Sequence, residues 1–171
     1  MNLILSDRKL DLHETAIPDL DLIDLSACRI ANCVGCFGCW TRTPGKCVIR
    51  DDAVKIYPRI AASERLMYVT RVRYGGYDIP MKTLLERAIP IQQAFLRLHH
   101  GETHHVQRAV APKDAVILGY GDLSEEEIDL FRRLADRNAR NMNLERWRVR
   151  FARASEVDQA VREEVEAWGR S

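Results

Sequence analysis

Ala115-Val116-Ile117-Leu118-Gly119-Tyr120-Gly121, followed by Ser124 and Glu127, is the stretch on which the fold turns. Its apolar run reads as a strand that ends at Tyr120-Gly121. Ser124 with Glu127 three residues later forms a capping box. Behind it Ile128, Phe131, Leu134, Ala135 and Met142 fall on one helical face. Strand, short turn and amphipathic helix make half of a β-α-β crossover.

The alternation continues on both sides. Toward the C-terminus, 147–151 reads as a strand, and Ser155 is expected to cap a last helix with Val157, Val161, Val165 and Trp168 on its buried side. Toward the N-terminus, 66–70 is a strand, and Pro80 opens a helix carrying Met81, Leu84, Leu85 and Ala88 before Pro90 interrupts it. Leu3-Ile4-Leu5 is the first strand and 20–25 the second, with Asp19, Asp21 and Asp24 marking an exposed face or edge. Asp51-Asp52 is placed to cap a helix over Val54, Ile56, Tyr57, Ile60 and Ala61, with Pro58 expected to kink it. Residues 95–108 read either as a hairpin turned at Gly101-Glu102 or as a continued helix. Strands separated by helices imply right-handed crossovers. The pattern predicts one α/β domain over 1–171, a doubly wound five-stranded parallel sheet in the flavodoxin-like order 2-1-3-4-5. Its ligand crevice would lie at the carboxyl ends of strands one and three.

Length and composition agree with this. The 171 residues suffice for one core, and 46% apolar with 30% charged residues is the balance of a soluble globular chain. No apolar stretch is long enough for a membrane span, and the start lacks the form of a signal peptide. A cytoplasmic location with reduced thiols is expected. Net charge of +1, with both signs interspersed, gives no reason to propose nucleic acid or membrane as partner.

Cys33, Cys36 and Cys39 are spaced C-x2-C-x2-C, and Cys47 follows after seven residues. Gly35, Gly38 and Gly45 let the backbone curl, so the thiolates can converge on one small volume. The spacing is nearer to ferredoxin-type ligation of a 4Fe–4S cluster than to a structural zinc site. Zinc and metal-free thiols are the competing readings. Cys28 lies outside the pattern and reads as a buried small hydrophobe.

Cys33-Val34-Gly35-Cys36-Phe37-Gly38-Cys39-Trp40, then Pro44-Gly45-Lys46-Cys47-Val48-Ile49-Arg50-Asp51-Asp52, resembles the iron–sulfur flavoproteins and related NAD(P)H-dependent FMN oxidoreductases. Lys82, Glu86-Arg87 and the segment Gly101-Glu102-Thr103-His104-His105 extend the likeness. The resemblance implies a flavodoxin-like fold, FMN, a homodimer or tetramer, and electron transfer between a nicotinamide, a flavin and in some members a cluster.

The chain also departs from that pattern. A flavin phosphate is normally held by a Ser/Thr/Gly-rich turn that opens a helix after strand one. Here Ser6-Asp7-Arg8-Lys9 follows instead, the first glycine is Gly35, and about fourteen residues separate strands one and two. A helix in that crossover is at most two or three turns long, and Asp7 and Asp11 would repel a phosphate that Arg8 and Lys9 attract.

Candidate cofactor-binding residues are Ser6 and Arg8 in the first loop, Arg71, Arg73, Tyr74, Gly75, Gly76 and Tyr77 in the second, and Gly119, Tyr120 and Gly121 in the third. Tyr74 and Tyr77 are placed to stack on an isoalloxazine, and Arg71 and Arg73 to hold an anion. His99, His100, His104 and His105 read as an ordinary polar hairpin, since adjacent strand residues point to opposite faces. No residue stands out as catalytic. The leading expectation is a flavin-dependent redox protein taking electrons from NAD(P)H and serving a small redox partner. The alternative is a degenerate flavodoxin-like domain without flavin, acting as a non-catalytic subunit or metal-stabilised interaction module.

Overall fold

The computed structural model describes residues 1–12 and 19–170. In chain order its elements are β1 (Asn2–Ser6), β2 (Leu20–Asp24), the single-turn α1 (Gly38–Thr41), α2 (Ala53–Ala62), β3 (Arg65–Arg73), β4 (Gly76–Tyr77), α3 (Ile79–Glu86), β5 (Gln92–His99), β6 (Glu102–Gln107), β7 (Asp114–Tyr120), α4 (Glu125–Asn141), β8 (Arg146–Ala152) and α5 (Val157–Gly169). The main sheet runs β2-β1-β3-β7-β8 with every neighbouring pair parallel. Counting main-sheet strands alone, this is the order 2-1-3-4-5, as the sequence pattern predicts.

The period of two along each strand divides the core between the two faces of the sheet. Leu3, Leu5, Leu66, Tyr68, Ala115 and Ile117 pack under α2, α3 and α4. Ile4, Met67, Val69, Val116 and Leu118 pack under α5, through Val157, Val161, Val165 and Trp168. On this second face the first crossover contributes Leu10 and Leu12 rather than a helix over 7–12. The short helix expected in that crossover falls otherwise on residues 13–18, outside the described residues.

Local signals are met unevenly. The capping box forms as expected, Glu127 N donating to Ser124 Oγ and Ser124 N to Glu127 Oε2, both at 3.2 Å. Ser155 does not cap α5: the N-cap is Glu156, with no side-chain hydrogen bond to the helix. Asp51 and Asp52 turn away from a simple cap. Asp51 accepts Ala31 N at 2.8 Å as well as Ala53 N at 3.2 Å, and Asp52 accepts Arg29 N at 2.9 Å. Pro58 sits on the exposed side of α2, which runs on to Ala62.

Residues 95–108 form the hairpin, not the helix. β5 and β6 pair antiparallel with His99 opposite Glu102. The two-residue turn is His100-Gly101, both with positive φ (51° and 77°), which gives the type I′ geometry that matches strand twist.

One buried cation supplies a pH test of this packing. Burial holds the Lys113 amine down at about 8, against an ordinary 10.5, and its Nζ donates to Ala111 O at 2.6 Å. Between those values the unfolded chain binds more protons than the folded one, so stability rises with pH from about 8 to 10.5. The cost of the buried charge is fully present below pH 8. Denaturant titrations should show the wild type gaining about 2–3 kcal/mol relative to Lys113→Met across that window. Parallel pH profiles of the two proteins would overturn the assignment.

Candidate functional site

The strand order places the fold's crevice where β1 and β3 end, and the residue leaving β1 there is Asp7. Its carboxylate is 9% exposed and accepts from the ends of two neighbouring strands. Thr70 Oγ1 donates to it at 3.0 Å, Arg71 N at 2.6 Å and Tyr120 Oη at 2.8 Å. Burial pushes the Asp7 carboxyl up, and these three donors pull it part of the way back. Burial and the adjoining carboxylate likewise push the Tyr120 phenol up.

Of the first-loop candidates, Ser6 is buried and its Oγ accepts Arg8 N at 3.2 Å. The Arg8 guanidinium donates to Ala154 O at 2.9 Å, lies 3.9 Å from Asp158 and sits over the Tyr120 ring. Both residues are thus engaged in the fold itself.

The second loop is a tight hairpin. β3 runs to Arg73, turns through Tyr74-Gly75 (φ 52° and 70°) and returns as β4, with Arg73 opposite Gly76. Gly75 is needed twice over: a Cβ there would clash with the Leu130 side chain, and its φ is positive. Tyr77 is buried, its ring edge-on to Phe131 at 5.0 Å, so it is not free to stack face-on upon a flavin in the crevice. Tyr74 is 92% exposed. Arg73 pairs with Asp78 at 3.1 Å, whereas the Arg71 side chain is exposed.

In the third loop Gly119 is a packing position. A Cβ there would lie 2.8 Å from Val72, 3.1 Å from Phe131 and 3.2 Å from Phe151. Gly121 N donates to Ala152 O at 3.2 Å and so ties β7 to β8.

A cavity of about 920 Å³ opens beside this crevice, between α3 and α4 and beneath the β5–β6 hairpin. Tyr68 and Ile117 form its floor, with Tyr77, Leu85, Leu134 and Met142 among its walls. Among the described residues, the fully buried Tyr68 hydroxyl has no hydrogen-bond partner. Burial drives the Tyr68 phenol far up and raises Tyr77 to about 12, so both present neutral hydroxyl groups. The roof is pinned to α4 by Glu102, which accepts both terminal nitrogens of Arg137 (2.7 and 2.9 Å) and meets His104 Nε2 at 2.9 Å. Those partners hold its carboxyl at about 2. His104 Nδ1 contacts Asn141 Oδ1 at 3.0 Å, and His105 Nδ1 contacts Gln93 O at 2.9 Å. The histidines therefore serve the hairpin, as their pattern suggests.

The thiols lie together in one loop without being gathered as ligands. Cys33 and Cys36 are exposed, and Cys39 and Cys47 are partly buried. Burial raises the Cys39 thiol, and the neighbouring Cys47, Cys33 and Cys36 raise it further. Among the described residues no three Cys, His, Asp or Glu side chains come close enough to hold a metal ion. The convergence expected from the spacing is absent here because other groups hold the loop. Trp40 meets the His105 ring in a tilted contact at 4.7 Å and donates from Nε1 to Gln92 O at 3.0 Å, docking α1 against the cavity roof. Cys28 is half-buried against the core and directs its thiol to Asp24 O at 3.3 Å.

The residue that sequence reasoning passed over is Arg87. It is 1% exposed and donates to Asp51 (2.7 and 3.0 Å), Ala31 O (2.7 Å), Ile49 O (3.4 Å) and Cys47 Sγ (3.4 Å). Burial opposes the Asp51 charge, but the Arg87 guanidinium holds the carboxyl below its usual range. The signal was available, since Asp51-Asp52 and Glu86-Arg87 are both among the quoted motif residues; their pairing was not.

The fold and the crevice define a flavodoxin-like α/β domain. No protein-family model matches the chain. Among curated proteins, an iron–sulfur flavoprotein from Methanocaldococcus jannaschii is 27% identical over 77 residues, 45% of this chain and 39% of that protein. The match thus spans about two fifths of that relative's length. Among solved structures, the chain is similar to an FMN-dependent NADH-azoreductase from Bacillus anthracis in complex with FMN (13% identity, 99% of both chains, TM-score 0.63). It is also similar to an NAD(P)H:quinone oxidoreductase from Methanothermobacter marburgensis (10% identity, 99% of this chain and 94% of that one, TM-score 0.60). At these identities the likeness establishes the fold. Among the described residues no helix is long and apolar enough to cross a membrane.

Proposed function

We propose that the protein is a cytoplasmic flavin-dependent redox protein of the NAD(P)H:FMN oxidoreductase kind, serving a small redox partner. The observation that carries this reading is the cavity between α3 and α4, large enough for a tricyclic ring system, with the orphaned Tyr68 hydroxyl in its floor. A buried hydroxyl without a partner is costly, and a ring ligand with polar edge atoms relieves that cost. The similar structures named above, an FMN-dependent NADH-azoreductase and an NAD(P)H:quinone oxidoreductase, support the same class.

The fit is divided. The cavity suits an isoalloxazine in size and polarity, while the loop after β1 does not suit a flavin phosphate, because Asp7 places a carboxylate there. When bound, a flavin supplies hydride acceptance from a nicotinamide. This chain's own part is to shut water from the ring with Leu85, Leu134 and Ile117, and to orient its edge with Tyr68 and Asn138.

The thiol loop carries a finer reading, a 4Fe–4S cluster on Cys33, Cys36, Cys39 and Cys47. Four thiols in one loop, docked through Trp40 on the cavity roof, support it, as does the sequence match to an iron–sulfur flavoprotein. The loop must rearrange to take a cluster. A homo-oligomer belongs to the same proposal: Phe95, Leu96 and Leu98 of β5 are 71, 61 and 81% exposed, and a second copy covering them would account for that.

The test is a visible spectrum of the anaerobically purified protein, with and without added flavin, together with NAD(P)H oxidation, metal analysis and sedimentation. Perturbed flavin bands and nicotinamide oxidation above that of free flavin are the expected result. A colourless protein that leaves flavin unperturbed overturns the redox reading in favour of the non-catalytic domain. Stoichiometric iron and sulfide support the cluster, whereas zinc, or neither, overturns it.

A further inference from the structure

We propose that Asp7 is a built-in substitute for the ligand phosphate of this fold, so that the site selects a flavin-class ring without a phosphate, riboflavin over FMN. The inference rests on the redox reading above and narrows its ligand.

At the loop after β1, the groups that would receive a phosphate are already engaged. Asp7 N donates to Val69 O at 3.0 Å, and Arg8 N donates to Ser6 Oγ at 3.2 Å. The Arg8 guanidinium is directed to Ala154 O and Asp158. Thr70 Oγ1, Arg71 N and Tyr120 Oη converge on one small volume at the crevice, which is the donor set an anion needs, and the Asp7 carboxylate fills it. The described part of the loop, 7–12, is not helical, so it offers no helix N-terminus to a phosphate. A phosphate brought to this place meets a carboxylate of like sign where the hydroxyl and backbone donors are already taken, with the exposed Arg71 side chain as the cation left beside it. The ring cavity, in contrast, presents neutral hydroxyls and apolar walls, and the charged side chains that also line it are paired, Arg73 with Asp78 and Lys82 with Glu86, so it needs no charge on its ligand.

The measurement is a fluorescence-quench titration of the full chain with riboflavin and with FMN at fixed ionic strength. Riboflavin is expected to bind at least about tenfold more tightly, and millimolar inorganic phosphate should not displace it. Asp7→Asn and Asp7→Ser, which remove the charge in two different ways, should shrink the ratio toward one by improving FMN binding. The wild-type ratio and the phosphate competition stand even if both variants fail to fold. FMN binding as tightly as riboflavin, or phosphate displacing riboflavin, overturns this inference and leaves the redox reading intact. If neither flavin binds, the redox reading falls, and this inference with it.

Discussion

Arg87→Met is expected to lower the unfolding free energy by about 3–5 kcal/mol, the usual cost of removing one partner from a buried ion pair. The side chain is almost wholly enclosed, and its five hydrogen bonds reach Ala31, Cys47, Ile49 and Asp51. Methionine fills similar volume but leaves the Asp51 carboxylate and two backbone carbonyls without their donor. Asp51 also anchors Ala31 N and Ala53 N, so the damage spreads along the thiol loop. Reaction of the loop cysteines with a thiol reagent should therefore accelerate under native conditions, Cys47 most of all. Lys82→Met is the control. Lys82 is 66% exposed and reaches Glu86 only at 4.0 Å, so its loss should stay within about 0.5 kcal/mol. A denaturation midpoint for Arg87→Met equal to that of the control would show that the guanidinium is dispensable to the loop.

Gly119→Ala is expected to cost about 1–3 kcal/mol, and Gly119→Val more, through overpacking. The added methyl meets Val72, Phe131 and Phe151 at 2.8–3.2 Å, and these side chains come from three elements, β3, α4 and β8. No single rotamer change relieves all three contacts. Gly76→Ala is the matched comparison, since its nearest new neighbour is Arg73 O at 3.6 Å, an ordinary contact, and its cost should stay below about 1 kcal/mol. Thermal unfolding of the two variants separates a packing role for Gly119 from a ligand-contact role. Unchanged stability with lost flavin binding would reverse the assignment made here.

Much of the architecture was legible because periodicity reports burial directly. The run 115–119, the capping box at Ser124 and the stripe Phe131, Ala135 state their own faces, and strand order followed from the alternation of elements. Capping was less legible. Ser155 has the right chemistry for a cap, but Glu156 takes the position, and Asp51 serves the thiol loop as much as α2. Such choices are set by which partner arrives from elsewhere in the chain.

The site was legible in part. The absence of a glycine-rich turn after β1 was plain in the sequence, and so was the repulsion expected from Asp7. What occupies the place instead was not, because Thr70, Arg71 and Tyr120 reach Asp7 from 63 to 113 residues away. The cavity was missed for the same reason. Its floor residues Tyr68 and Ile117 look like any core pair on adjacent strands until α3 and α4 leave a gap above them. The burial of Tyr77 was not legible because a two-residue turn at Tyr74-Gly75 sends its ring back onto Phe131, where it forms part of the cavity wall.

The carboxylate at the head of the crevice also bears on how the protein matures. A domain that must recruit an external anion to quiet converging donors at its strand ends is incomplete until that anion arrives. Here Thr70, Arg71 and Tyr120 are satisfied from within the chain as soon as β1, β3 and β7 align. Assembly of the sheet at these strand ends thereby calls for no external anion, and the chain closes its own donors as it folds.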